Sequence, residues 1–460
     1  MPDASLKNRL PSSLRDRRIG IVWLTLFIDL VGFSIIFPLF PAMLEYYLGK
    51  GEAGGGWLAS AVGQLNQLAG GGDSDQPSFM TAVLFGGILG SLYSLLQFAA
   101  APLWGALSDR IGRRPVLLIT VAGIAASYLM WFFASPFWLL VLARVLGGLM
   151  AGNLSVATAA VADITRREQR TQGLALVGIA FGLGFVVGPA IGGLSALIDL
   201  TQLMPTLANW GVNPFSVPAL ISFFLALFNL WWIYSHFNES LPSTNKQGSH
   251  DGAQAEKSAT HGGPLLALKL FSHKLPQVRR VNMVYLLFML AFSGMEFTLT
   301  FLAVERLAFS TVQNGLMFVF IGLVLVLVQG GIVRRVSGRI SEVKLAGAGM
   351  ALGFAAFLLL SQAQATLLFF VGLACMASAV ALTSPTLSAL VSLYSDKDEQ
   401  GRSLGLFRSA GSLARAFGPI IAAYLFFRFG SATAYAVCAL FLLIPLALTV
   451  RLPHPVKADS

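Results

Sequence analysis

The chain has 460 residues, of which 56% are hydrophobic and 11% charged, with a net charge of +10 and a mean hydropathy of +0.73. Soluble domains carry about 25% charged residues. The composition therefore excludes an ordinary water-soluble enzyme or nucleic-acid-binding protein and points to a polytopic membrane protein.

In chain order, twelve apolar runs are long enough to span a bilayer: 19–44, 79–104, 115–134, 136–163, 172–195, 216–237, 281–303, 314–333, 344–361, 366–394, 403–427 and 433–451. The first run is too long for a signal peptide and has no cleavage site, so it reads as a permanent span. With the N-terminus in the cytoplasm, 25 of the 31 Lys and Arg fall in the tails and cytoplasmic loops. Only Lys50, Arg306 and Arg428 fall outside, while Arg144, Arg408 and Arg415 lie within spans. This asymmetry places both termini in the cytoplasm and explains the net positive charge without nucleic acid.

The expected fold class is an all-α membrane protein with twelve transmembrane helices in two pseudo-symmetric six-helix bundles. The divisions are a tail at 1–18, a first bundle at 19–237, a linker at 238–280, a second bundle at 281–451 and a tail at 452–460. The linker starts polar and continues flexible to about Gly263, where a short amphipathic helix is expected. The loop 45–78 is Gly-rich and contains "WLASAVGQLNQL" (Trp57–Leu68), a candidate surface helix. Two signatures recur: Gly188-Pro189 in "GFVVGPAIGG" and Gly418-Pro419 in "ARAFGPIIAA" stand 230 residues apart. Two matching halves imply a site between them at mid-depth.

Cys375 and Cys438 both lie in spans, where a disulfide is not expected. The five histidines (His236, His250, His261, His273 and His454) lie at a cytoplasmic helix end or in polar segments, with no metal-ligand spacing. There is no nucleophile elbow and no Walker loop, so neither an enzyme nor a primary pump is expected, and no metal or bound cofactor.

Several stretches resemble the major facilitator superfamily. "GALSDRIGRRP" (Gly105–Pro115) resembles its loop-2–3 signature, and "LARVLGGLMAG" (Leu142–Gly152), with Arg144, its fourth-helix signature. "GLGFVVGPAIGG" (Gly182–Gly193) is similar to the fifth-helix signature of the drug:proton antiporters. "FIDLVGFSIIFPLFP" resembles the first helix of the tetracycline-efflux branch. Within that branch, "VLFGGILGSLYSLLQFAAAPL", "FSGMEFTLTFL" and "LFRSAGSLARAFGP" look like the animal tetracycline-transporter-like group. That resemblance implies export of organic anions by alternating access, but fold likeness does not fix a substrate.

In the loop signature, Gly105 is expected to permit a tight exit from the second helix. Asp109, with Arg110 beside it, is placed to pair with Arg113 or to sit near the N-terminus of the eleventh helix. The resemblance makes this loop a gating latch; the alternative is that its charges only set topology. Arg334-Arg335 stand in the second copy where Ser108-Asp109 stand in the first, so the second latch is degenerate. Gly184, Gly188, Gly192 and Gly193 form a small-residue stripe beside Pro189. It reads as a hinge and seal, or as plain close packing.

Five charges lie in spans: Asp29, Arg144, Glu296, Arg408 and Arg415. Each costs about 2.5–3.5 kcal/mol at mid-bilayer on insertion scales, so they must face inward, paired or solvated. At 1.5 Å rise per residue, Asp29, Arg415 and Glu296 stand roughly 15, 18 and 22 Å from the cytoplasmic ends of their spans, in one layer. Arg408, seven residues before Arg415, shares its face.

Asp29 is the expected main proton-coupling residue, with Glu296 a second proton site or the resting partner of an Arg, and Arg144 a further member of that set. The guanidinium forks of Arg408 and Arg415 suit a carboxylate or sulfonate. The face carrying Tyr285, Phe292 and Glu296 would line an amphipathic pocket, with Gln97, Asn153 and Gln329 as polar lining. The competing readings are a structural salt-bridge network and an ordinary packing stripe.

The Arg pair departs from the bacterial tetracycline pumps and favours organic anions over tetracycline. The expected function is therefore proton-coupled transport of an amphipathic organic anion or drug by a monomer in a lipid bilayer, of either the plasma membrane or an organelle. A carrier of a cationic drug, nutrient or lipid, or a non-transporting scaffold, remains open.

Overall fold

A polypeptide crossing lipid must satisfy its backbone hydrogen bonds internally, so apolar runs of this length are expected to fold as helices. The computed structural model describes residues 17–49, 64, 79–165, 170–240, 274–336, 339–395 and 400–453. The surface helix expected over Trp57–Leu68 lies outside them but for Gln64, as do residues 241–273 of the linker.

The helices are α1 (Arg17–Ser34), α2 (Phe40–Gly49), α3 (Phe79–Ile111), α4 (Arg113–Phe132), α5 (Phe137–Met150), α6 (Asn153–Ile164) and α7 (Arg170–Ser195). They continue with α8 (Ser216–His236), α9 (Pro276–Leu307), α10 (Thr311–Leu327), α11 (Glu342–Gln362), α12 (Thr366–Tyr394) and α13 (Gln400–Val450).

Among the described residues, eleven helical stretches are apolar and long enough to cross a membrane, the last of them 48 residues long. At 1.5 Å per residue that stretch would measure about 72 Å, more than twice a hydrocarbon core of roughly 30 Å. It is two helices joined at Gly430, whose φ of 78° and ψ of 166° are non-helical. The expected eleventh and twelfth spans lie on either side of this residue, in accord with the twelve-helix fold.

Three spans expected to be continuous are interrupted. The first stops at Ser34, passes through a 3-10 turn at Phe37–Leu39 and resumes at Phe40. Pro38 and Pro41 explain this: each lacks an N–H, and each disfavours helical geometry in the residue before it. The fourth breaks between Met150 and Asn153, at Ala151-Gly152. The eighth passes into a π-helical turn at Val328–Val333, which contains Gly330 and Gly331. One expectation needs correction. The second helix does not exit at Gly105 but runs on to Ile111, and the chain turns at Gly112, whose φ is 108°.

Two compact units result: Met1–Ile36 with Leu96–Gly262, and Phe37–Leu95 with Gly263–Ser460. The expected halves differ from these in one stretch, since residues 37–95 group with the second unit. The cause is aromatic and small-residue packing. Phe40 meets Phe297 at 5.4 Å between ring centroids and Phe79 meets Phe301 at 6.0 Å. A Cβ on Gly87 would lie 2.3 Å from that of Ala423, and the Ile420 N–H, just past Pro419, donates to Ser91 Oγ at 3.0 Å.

In the first unit, α1 packs on α7 through the small-residue stripe. A Cβ on Gly188 would lie 2.0 Å from Ser34 Oγ and 2.5 Å from the Val31 carbonyl oxygen. Ser34 Oγ donates to the Gly184 carbonyl at 2.9 Å. In the second unit, α9 packs on α13 by the same device. A Cβ on Gly418 would lie 2.4 Å from Ser293 Oγ and 2.8 Å from the Leu290 carbonyl oxygen. Ser293 Oγ donates to the Ala414 carbonyl at 3.2 Å. Ser34 and Ser293 are 259 residues apart, as are Val31 and Leu290, while Gly184 and Ala414 stand 230 apart, as do Gly188 and Gly418. The repeat read from the Gly-Pro pairs is thus repeated contact by contact.

Gly188→Ala should destabilise the protein by about 1–3 kcal/mol, the usual cost of overpacking. Ser34→Ala should not rescue it, because the Val31 carbonyl still obstructs. Gly347→Ala, with nothing within 4 Å of the added Cβ, should be neutral or mildly stabilising. Thermal melting of the purified variants checks all three.

Candidate functional site

The loop after α3 forms a charge cluster. Arg113, 7% exposed, donates to Ser108 Oγ at 2.6 Å and Asp163 Oδ2 at 2.9 Å, and pairs with Asp109. Asp109 is about half exposed, so its pairing contributes less than that of the more enclosed Asp163. Arg110 is exposed. The Glu239 carboxylate accepts from the backbone N–H groups of Arg113 at 2.9 Å and Arg114 at 3.2 Å. It therefore neutralises the positive N-terminus of α4. Arg114 donates to the Tyr234 carbonyl at 2.6 Å and lies over that ring, tying the same helix start to the end of α8. Gly105 sits mid-helix, 3.9 Å from Ser155 Oγ measured from an added Cβ. Asp163 and Glu239 were not anticipated. The available signal was their position, an acid at the end of a span opposite a basic loop.

The first unit also builds the surroundings of Asp29. This carboxylate lies partly buried on α1, and Asn153 Nδ2 donates to its Oδ2 at 2.9 Å. Asn153, a pocket-lining candidate by sequence, bonds the acid here. It reaches Asp29 because it opens α6 just past the break in the fourth span. In an unbroken helix the Leu149 and Ala151 carbonyls would accept from residues 153 and 155. Here they accept from side chains of α3: Trp104 Nε1 to Leu149 at 2.7 Å and Gln97 Nε2 to Ala151 at 3.1 Å. The Ser155 N–H turns to the Gly152 carbonyl at 3.1 Å. Gly152 is required, since a Cβ there would lie 2.3 Å from the Trp104 ring. Gln97, expected to line the pocket, thus braces the break. Arg144 is 5% exposed on α5 and sets its guanidinium 5.2 Å from the Trp131 ring centroid, a cation–π contact.

The second unit holds the other group. Arg408 and Arg415 lie two turns apart on α13, and Tyr285 of α9 reaches between them. Its ring stacks on Phe407 at 3.8 Å between centroids and 18° between planes. It also lies against Gly411, where an added Cβ would stand 2.9 Å from the ring. The Tyr285 hydroxyl is in the field of both arginines, and Glu296 is in the field of Arg415. Arg415 Nη2 donates to Ser412 Oγ at 3.3 Å. Phe292 stacks parallel on Phe288 at 6.4 Å, on the same helix. Phe407 and Gly411 were missed, because an aromatic residue and a glycine in an apolar helix look like packing until the tyrosine is placed. Gln329 lies exposed on the π-helical turn. Among the described residues no cluster of His, Cys, Asp and Glu has metal-binding geometry.

Trp104→Phe keeps the ring but removes the donor to Leu149. It should cost about 1–3 kcal/mol of stability, because the Leu149 carbonyl lies on an exposed face where lipid offers no donor to replace the indole, and it is read as a lowered melting temperature.

The model of the Major Facilitator Superfamily matches residues 22–419 and 335–460. Mouse major facilitator superfamily domain-containing protein 10 is 35% identical over 98% of this chain and 96% of its own length. The class E tetracycline resistance protein of Escherichia coli is 26% identical over 89% of this chain and 88% of its own. The crystal structure of the human organic anion transporter MFSD10 (TETRAN) superposes with a TM-score of 0.73 at 33% identity, covering 96% of this chain and all of that one. With a matching family model across nearly its whole length and relatives of this similarity, the chain belongs to the major facilitator superfamily.

Proposed function

We propose that this chain is a proton-coupled secondary transporter that moves amphipathic organic anions across a membrane by alternating access. The observation that carries the proposal is the arrangement on α9 and α13. Arg408 and Arg415, seven residues apart, share one face of α13, and Tyr285 packs on Phe407 and Gly411 of the same helix stretch. The guanidiniums recognise a carboxylate or sulfonate with paired hydrogen bonds, and the platform accepts an apolar body. The human relative described as an organic anion transporter supports the same charge class.

The labour divides by chemistry. Asp29 takes up and releases the proton, Arg408 and Arg415 hold the anion, and Glu296 serves as the resting counter-ion of Arg415 or as a second proton site. The cluster around Arg113 latches the ends of the helices it joins.

The test is uptake of a labelled aromatic carboxylate into proteoliposomes under pH gradients of either sign. Wild type should accumulate the anion in one gradient direction only. Arg415→Ala should raise the KM roughly 10- to 100-fold, the worth of a charge-assisted hydrogen bond or two. Asp29→Asn should lose gradient-driven accumulation and keep exchange. If flux ignores pH and both variants behave as wild type, the charges are structural and the mechanism fails.

A further inference from the structure

Asn153 is 2% exposed, and only one end of its amide is satisfied. Nδ2 donates to Asp29 Oδ2 at 2.9 Å, while Oδ1 is buried with no hydrogen-bond partner. Buried polar atoms are nearly always paired, because an unpaired one loses its hydration without compensation. The unmet acceptor therefore belongs to the same side chain that bonds the acid.

An ionised carboxylate only accepts hydrogen bonds, whereas a protonated one also donates. An amide meets both states. Its NH2 serves the carboxylate, and after a half-turn about the Cβ–Cγ bond its oxygen serves the acid's O–H. The break in the fourth span makes such a turn feasible. Trp104 and Gln97 hold the backbone around residue 153, so the amide can turn over without displacing its helix.

The other elements packed on α1 offer Asp29 no competing charge. These are α6, α7 and α8, together with α4, whose Tyr128 hydroxyl would lie 3.1 Å from a Cβ on Gly32. Their titratable or charged residues are Asp163 on α6, Arg170 on α7, Tyr234 and His236 on α8, and Arg113, Arg114 and Tyr128 on α4; all but Tyr128 lie within the terminal turn of their helices, Tyr128 carries no formal charge, and Asp163 is bonded to Arg113. Arg144 is on α5, over Trp131.

We propose that Asn153 is the positioning residue of the proton site: its amide donates to Asp29 when the carboxylate is charged and turns over to accept from Asp29 when it carries the proton. The proposal deepens the reading of Asp29 as the proton site and rests on it.

The test is infrared difference spectroscopy of the purified protein in lipid vesicles, stepped through pH, with isotope-labelled asparagine. A carboxylic-acid carbonyl band that is absent in Asp29→Asn should grow as pH falls. An asparagine amide carbonyl band should shift with the same midpoint. In Asn153→Ala the amide shift should vanish and the midpoint should move by about one pH unit, the scale of one hydrogen bond to a charged group. Asn153→Ser should restore most of the midpoint, because a hydroxyl both donates and accepts.

An Asp29 band that titrates in wild type with no amide shift overturns the proposal, and needs no variant to do so. So does an unchanged midpoint in Asn153→Ala. If Asp29→Asn loses none of the titrating carboxylic-acid intensity of wild type, Asp29 is not the proton site and the role of Asn153 falls with it; a band belonging to Glu296 is told apart by its loss in Glu296→Gln.

Discussion

A helix inside a bilayer has no water to complete its backbone hydrogen bonds, so an interruption must be met by side chains or by local adjustment of the backbone. This constraint organises the first unit. The break at Ala151-Gly152 frees carbonyls that Trp104 and Gln97 take up. Those bonds in turn fix α3 against α5 and α6, and they set Asn153 at the start of α6, where its amide meets Asp29. Removing the break would let the ladder close and would carry the side chain of residue 153 to another face. The polar residues of this region are therefore best understood as a chain of obligations that ends at the one acid of α1's apolar run.

The two units share a backbone device and differ in the chemistry mounted on it. In both, a glycine of one helix lies against a carbonyl and a serine of its neighbour, and the serine donates back across the contact. Such packing suits a lipid setting, where close backbone approach replaces the hydrophobic drive available in water. Carried across the repeat, Asp29 corresponds to Phe288, while Arg408 and Arg415 correspond to Gly178 and Phe185. The acid of the first unit has an aromatic counterpart, and the cations of the second have an apolar or absent one. Duplicated scaffolding with unlike charges is how a symmetric fold acquires two distinct jobs.

Much of this was legible in the residues alone. Span number, the repeat and the family followed from hydropathy, spacing and signature stretches, because each is a local or periodic property. Contacts across long sequence separations were not. Asn153 and Gln97 were recognised as polar residues in apolar helices, but such a residue reads the same whether it lines a pocket, braces a break or serves an acid. The loop signature contains both Gly105 and Gly112, and sequence gives no φ value to choose between them. The positive φ belongs to Gly112, where a side chain would also strike Glu239. Glu239 itself lies 126 residues from the helix start it caps. The break at Phe37–Leu39 was the more readable omission, since two prolines spaced three apart argue against an unbroken span.

The two membrane-embedded acids differ most in the kind of partner each has been given. A carboxylate tightly paired to an arginine gains so much from its charge that releasing the pair becomes the difficult step. Such an acid makes a good counter-ion and a slow proton carrier. Asp29 is met by a neutral amide, which has no charge to hold the carboxylate in one state and has an unused acceptor on its other end. Glu296 lies in the field of Arg415, on the helix that is pinned to α13 by Ser293 and Gly418. In the proposed mechanism, the neutral partner suits an acid that must cycle, and the cationic partner suits one that yields its place to the proposed anion. On this argument the division of labour is written less in the acids themselves, which are chemically alike, than in what the fold sets beside each.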